Sequence, residues 1–227
     1  MKRSSYAYIS LAVLPILVGC VNYQSTRSFP ISIFLAFLSS FVVCDIWYFL
    51  RVVLHYLPQR SHRANLFDSD SFNSWVALNS VDRNGHFTNS RYLRELGFAR
   101  LQFWKRNGMW DIMRANGGNL IVSSQSIRYR RELEFGQRYT IHTRLLAWDS
   151  KAFYLEHRFV RHSANVDFVH AIVLVKNAVV GILPQTAISL LMGCDIESPN
   201  LRADLAAWIQ YDTLSSLALR NEHTKTS

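Results

Sequence analysis

From residue 119 to residue 181 the chain offers four strand-like segments in a row, and a single helical segment precedes them. The helix begins at Asn89. Tyr92, Leu96, Ala99 and Phe103 then fall at i, i+4, i+7 and i+11 and form one apolar face. Asn107-Gly108 supplies its C-terminal stop. The strand-like segments are "NLIVSSQSIRYR" (119–130), "YTIHTRLLAW" (139–148), "AFYLEHRFV" (152–160) and "FVHAIVLVKNAVVG" (168–181). Only Asp149-Ser150-Lys151 separates the second from the third, so those two pair as an antiparallel hairpin. Phe135-Gly136 marks a turn or bulge. The last segment is almost continuously apolar, as expected of a strand covered on both faces.

Ahead of the helix, "SWVALNSVD" (74–82) has the pattern of a first strand, ending at the Asn84-Gly85 turn. The order strand, one long helix, four strands defines an α+β fold. A curved antiparallel five-stranded sheet wrapped around that helix is its natural packing. Gly97 lies mid-helix, where it costs about 1 kcal/mol relative to alanine. The expectation is that sheet and helix backbone approach closely there. Beyond the sheet, "PQTAISLLMG" and the segment from Ser198 onward are helical by pattern, with Ser198 as cap and Pro199 in the first turn.

The N-terminal 57 residues differ from the rest. Residues 6–21 are uncharged and follow a basic Lys2-Arg3 start, which is also how a signal peptide begins. Residues 31–50 form a second apolar stretch, long enough for a bilayer core of ~30 Å. Asp45 lies near its end, with Trp47, Tyr48 and Arg51 placed as an interfacial belt. Basic residues flank the outer ends, so a membrane hairpin with both ends cytosolic is the expectation. A single anchor after signal removal is the alternative. The chain thus divides into a membrane-anchoring segment (1–57), a folded domain (67–185) and a helical extension (186–227).

The formal charge of +9 suits an anionic ligand or an anionic membrane surface. No run of five basic residues and no zinc-finger spacing is present, which argues against nucleic acid. Three cysteines make no disulfide framework, in keeping with a reducing compartment. His142, His157, His162 and His170 show no metal-ligand spacing, so the expectation is no metal and histidines scattered on polar faces. Arg128, Arg130 and Arg131 suit either phosphate contact or a solvated strand face.

One corner concentrates the chemistry: "VDRNGHFTNSRYLRE" (81–95) joins the first strand to the helix. Asp82 is there as a carboxylate at a strand end, within reach of a groove. The first amides of the helix, around Asn89, lack intrahelical partners and can polarise a carbonyl. The same residues also suit a plain turn, with Asp82 bonding backbone amides and Asn89 capping the helix.

The pattern Asp82, Gly85, His86, Asn89, Tyr92, in this strand order, resembles the hotdog-fold thioesterases of the 4-hydroxybenzoyl-CoA thioesterase type. The resemblance implies a hotdog domain hydrolysing acyl-CoA thioesters. It assigns Asp82 as nucleophile or general base, Asn89 as the carbonyl-polarising amide and His86 as a hydrogen-bonding neighbour. Tyr92 falls in a structural role. No cofactor is implied beyond the coenzyme A thioester as substrate, and a homodimer is implied because hotdog sites form between subunits. "DIWYFLR", "NSRYLRELGFAR", "TRLLAWDSKAFYLEHRFV" and "DLAAWIQYD" are similar to animal members of this family. Those members carry an N-terminal hydrophobic segment and are associated with the endoplasmic reticulum membrane. Three positions depart from the family pattern. Ser80 replaces the first Asp of an Asp-x-Asp pair, Thr88 replaces an Asn, and Gly97 stands where many members have a helix carboxylate. These departures keep open a second reading: a hotdog dimer that binds acyl-CoA or lipid without turnover.

Overall fold

The computed structural model describes residues 18–21, 23–24, 28–43, 45–56, 64–162 and 166–225. It divides into two compact units, Met1–Pro58 and Gln59–Ser227.

In the first unit, helix α1 spans Phe29–Val43 and α2 spans Ile46–Tyr56. The continuous helix expected over 31–50 is therefore interrupted. Asp45 sits in the break, and its Oδ1 accepts the Tyr48 amide at 3.1 Å, capping α2. A carboxylate that caps a new helix start ends the old one. At 1.5 Å per residue the 15-residue α1 is about 22 Å long, short of a ~30 Å hydrocarbon core. Among the described residues no helix is long and apolar enough to cross a membrane. Apart from 18–21, the stretch 6–21 lies outside the described residues.

The second unit carries β1 (Asp70–Trp75), α3 (Asn89–Arg106), α4 (Met109–Ala115), β2 (Asn119–Tyr129), β3 (Arg138–Trp148), β4 (Ala152–Arg161), β5 (Phe168–Val180), α5 (Pro184–Met192) and α6 (Ala203–Lys225). The five strands form one sheet in the order β1-β3-β4-β5-β2. Every neighbouring pair is antiparallel. Helix α3 lies against one face. Its Tyr92, Leu96, Phe98, Ala99, Phe103 and Trp104 are all buried. Aromatic pairs fix the contact: Phe98 stacks on Phe72, Tyr92 meets Phe159 edge-on, and Trp104 packs on Phe153. Each such side chain contributes roughly 1.5–3 kcal/mol by leaving water. The helix stops at Asn107, and Gly108 follows with φ of +83°, a conformation suited to glycine.

The opposite face of the sheet is covered in part by α6. Leu205, Trp208 and Ile209 pack onto Ala147, Ala152 and Tyr154. Two ion pairs pin the same face, Lys176 to Asp212 at 2.7 Å and Arg202 to the buried Glu156 at 2.6 Å. As a result β4 is the strand buried on both faces, whereas β5 alternates buried and half-buried residues. The apolar run at 168–181 thus reflects a central position next to β2 and not double coverage.

Three other expectations are corrected, and one helix is added. The first strand is Asp70–Trp75, not 74–82; Leu78–Ser80 form a 3₁₀ turn. Phe72 is β1's one buried side chain, so β1 has no apolar run and is held by pairing with β3. Helix α4, seven residues long, is too short to show a helical period. Helix α6 starts at Ala203, and Ser198 instead accepts the Trp148 amide through its hydroxyl at 2.9 Å. That bond fastens the preceding strap to the end of β3. Finally, a Cβ placed on Gly97 meets nothing within 4 Å. No close approach of the sheet explains this glycine; the space beside it is open in the single chain.

Candidate functional site

The corner is a tight hairpin loop. The Thr88 amide donates to the Ser80 carbonyl at 2.9 Å and the Asp82 amide to the His86 carbonyl at 2.9 Å. Gly85, at φ +79°, closes the turn by donating to the Asp82 carbonyl at 3.0 Å. This is the turn chemistry that Asn84-Gly85 signals. The loop is held from the side by residues 133–135. The Phe87 amide donates to the Leu133 carbonyl at 2.7 Å, and His86 bridges Glu134.

Asp82 itself is exposed, and its Oδ1 accepts the Asn84 amide at 2.9 Å and the His86 amide at 3.2 Å. Those two amides, Asn84 first, hold its carboxyl below the usual carboxylate range. It is therefore ionised at neutral pH, with Oδ1 committed to the turn. Oδ2 has no hydrogen-bond partner among the described residues. The His86 imidazole makes no bond to Asp82; only the His86 backbone does. The orienting or hydrogen-bonding role expected of the ring thus does not include a bond to the Asp82 carboxylate.

Asn89 is the first residue of α3, and the N-cap is Thr88, whose side chain makes no capping bond. The leading amides of the helix are left uncapped by side chains, the arrangement that carbonyl polarisation needs. Asn89 does not serve as the cap. Among the described residues it makes no direct bond to Asp82 or His86; the three share one loop and one helix start. Tyr92 is buried against Phe87 and Tyr129, and burial pushes its phenol up to about 12. It is neutral at pH 7 and belongs to the packing.

One neighbour was not foreseen. The Tyr129 hydroxyl, from the end of β2, donates to the Asn89 carbonyl at 3.2 Å. This contact spans 40 residues, and nothing local in the sequence signals it. Glu95 turns away from the corner toward β1, where its carboxylate accepts the Ser74 hydroxyl at 3.2 Å. His157 is also unlike its expected polar-face placement, being wholly buried. Among the described residues no group of three or more His, Cys, Asp or Glu side chains is placed to hold a metal.

Residues 76–209 match the thioesterase-like superfamily, and the chain belongs to that superfamily. The solved structure of the probable thioesterase YbaW from Escherichia coli shares the fold. Its TM-score is 0.50 at 20% identity, covering 54% of this chain and 95% of that one. More narrowly, the chain is similar to the proteins named THEM6. It is 36% identical to the one from Xenopus laevis across 80% of this chain and 88% of that protein. With the Danio rerio protein it shares 36% identity across 78% of this chain and 88% of that one. A shorter stretch, 34% of this chain, is 39% identical to 16% of the L-carnitine dehydrogenase/betainyl-CoA thioesterase of Agrobacterium fabrum.

Proposed function

We propose that this protein hydrolyses acyl-CoA thioesters, with Asp82 as the nucleophile or as the base for the attacking water. The observation that carries the reading is the free Oδ2 of an ionised Asp82, on a loop that leads directly into an uncapped helix start. A thioester carbonyl set against the α3 amides gains stabilisation of its developing oxyanion. Asp82 supplies the electron pair or takes the proton of water, and the coenzyme A thiolate leaves. The name of the Agrobacterium relative supports coenzyme A thioesters as the substrate class. Steady-state hydrolysis by the purified protein across acyl-CoA chain lengths tests this. A folded protein inert toward the whole panel removes it.

The reading includes a homodimer. Strand β2 is an 11-residue edge whose only charged residue is Arg128 and which contains no proline. Ile121 and Tyr129 stand exposed on it. Unprotected edges of this length pair with another chain. The opposite edge, β1, is six residues long and begins with Asp70. Asp82 also lies open to water, and a second subunit would shield it. Light scattering is expected to give twice the chain mass, and Ile121→Lys to shift it toward monomer. A monomeric wild-type protein contradicts the dimer.

For the N-terminal unit the reading is membrane association, at the endoplasmic reticulum with the catalytic unit in the cytosol. Phe29, Ile33, Phe34 and Phe37 on α1, and Trp47, Phe49, Leu50 and Leu54 on α2, are large and exposed. Exposed apolar surface of this density suits lipid. Co-sedimentation with phosphatidylcholine vesicles is the expected result, lost when residues 1–58 are deleted. Equal sedimentation of both forms ends this part of the proposal.

A second reading rests on Asp82 being engaged by its own turn and on the open space at Gly97. In it the dimer binds acyl-CoA or lipid without turnover.

A further inference from the structure

The segment that braces the corner has a second side. Arg131, Glu132 and Gln137, with Arg161, Phe168 and His170 from β4 and β5, line a cavity of about 430 Å³. His170 is 3% exposed. Its Nδ1 lies 3.0 Å from the Glu132 carbonyl and 3.2 Å from the Arg131 carbonyl. Carbonyls only accept, so Nδ1 carries the proton and Nε2 holds the lone pair. Nε2 has no partner among the described residues. Burial also holds this imidazole below its ordinary range, so it is a neutral acceptor.

The charged groups divide in a definite way. The Arg131 guanidinium lies over the Phe168 ring at 4.3 Å, which restricts where its donors point. Arg161 enters from the end of β4. Glu134, also on the wall, has its carboxylate engaged by the Gln137 amide at 2.9 Å. Among the described residues the Glu132 carboxylate makes no hydrogen bond. The cavity therefore presents two guanidinium donors beside two acceptors, Glu132 and the His170 Nε2. Its two arginines and two glutamates cancel in formal charge. A bare anion gains little in such a site, whereas a ligand carrying both an anion and hydroxyl donors satisfies both sets.

We infer that this cavity holds the phosphorylated sugar of a nucleotide. Arg131 and Arg161 take the phosphate; Glu132 and His170 accept from the sugar hydroxyls. Two sources supply that chemistry, the nucleotide end of coenzyme A or a free nucleotide. The first rests on the acyl-CoA reading above, and the fold supports it locally. Glu134 on the cavity wall pairs with His86, so cavity and corner share one backbone segment.

Calorimetry with the full chain tests the site, using coenzyme A, adenosine 3′,5′-bisphosphate and inorganic pyrophosphate. The two nucleotides are expected to bind and pyrophosphate to bind more weakly. Arg131→Gln and Arg161→Gln, each confirmed folded by circular dichroism, are each expected to weaken nucleotide binding about tenfold or more. Binding of the bisphosphate without coenzyme A supports the cavity and names a free nucleotide as its source. Unchanged affinity in both variants overturns the site, as does pyrophosphate binding as tightly as the nucleotides. Absence of nucleotide binding to the wild type also overturns it. Turnover of an acyl-pantetheine thioester, which lacks the nucleotide, is measured beside this on the wild type. If it persists without nucleotide binding, the cavity fails and the Asp82 reading stands. If nucleotides bind through the two arginines while no thioester is cleaved, the cavity stands and hydrolysis fails.

Discussion

Asp82→Asn is expected to lower kcat for acyl-CoA hydrolysis by about 10²- to 10⁴-fold, the usual contribution of a positioned acid or base, and to leave the fold intact. The separation follows from the two carboxylate oxygens. Oδ1 is an acceptor for the Asn84 and His86 amides, and an asparagine oxygen accepts the same two bonds. Oδ2 is the oxygen with no turn duty, and the substitution replaces it with an uncharged NH₂ that can neither attack nor take a proton. The pH profile gives a second check. The amides hold the Asp82 carboxyl below its usual range, so the acid limb of kcat/KM is expected below that of an ordinary aspartate. Far-ultraviolet dichroism and thermal melting matching wild type, together with lost turnover, is the predicted combination. A variant that is folded and equally active puts the chemistry elsewhere; one that unfolds makes Asp82 a turn residue above all.

Much of this architecture was legible from local pattern, and the parts that were not depend on distant partners. Asn89–Arg106, the strand segments after it and their tight hairpin at 149–151 follow from apolar periodicity and turn residues. The corner was legible for the same reason, because Asp82, Asn84 and Gly85 encode their turn within four positions. Strand β1 was misplaced because its neighbour β3, some 70 residues away in sequence, and not an apolar run, holds it in the sheet. Tyr129 beside Asn89 and the cavity around His170 were invisible for the same cause: they join residues from elements far apart in sequence. The N-terminal stretch shows the converse. Composition alone makes 31–50 one span, and a single carboxylate at Asp45 divides it into two helices. Gly97 has no explanation in the packing around it, since a Cβ there would meet nothing within 4 Å.

Acid lability between pH 7 and 5 is the other large expected effect, and it comes from His157. This side chain projects from β4 into the core and is wholly buried. Its Nδ1 pairs with the Thr143 hydroxyl at 2.8 Å, while Nε2 is buried without a partner among the described residues. Burial, and then the nearby Arg100 charge from α3, hold its folded pKa well below the ordinary value of 6.5. In the unfolded chain the imidazole takes up its proton at the ordinary pKa. The unfolded state therefore binds more protons below pH 6.5, and the native state loses stability as pH falls from there toward the folded value. The slope approaches about 1.4 kcal/mol per pH unit wherever the unfolded imidazole is charged and the native one neutral. His142 and His170, also held low by burial, act in the same direction with smaller shifts. Glu156 is lowered by its arginine partners against the opposing effect of burial, and its contribution is lost only at more acid pH, below the ordinary carboxylate range. The window from pH 7 to 5 thus belongs to the histidines. Urea midpoints at the two pH values are expected to differ markedly for wild type. His157→Gln is less stable at pH 7 through its altered bond to Thr143, but its midpoint should change much less between the two. A wild-type midpoint that is flat from pH 7 to 5 would mean that water reaches Nε2 and the core is not sealed over β4.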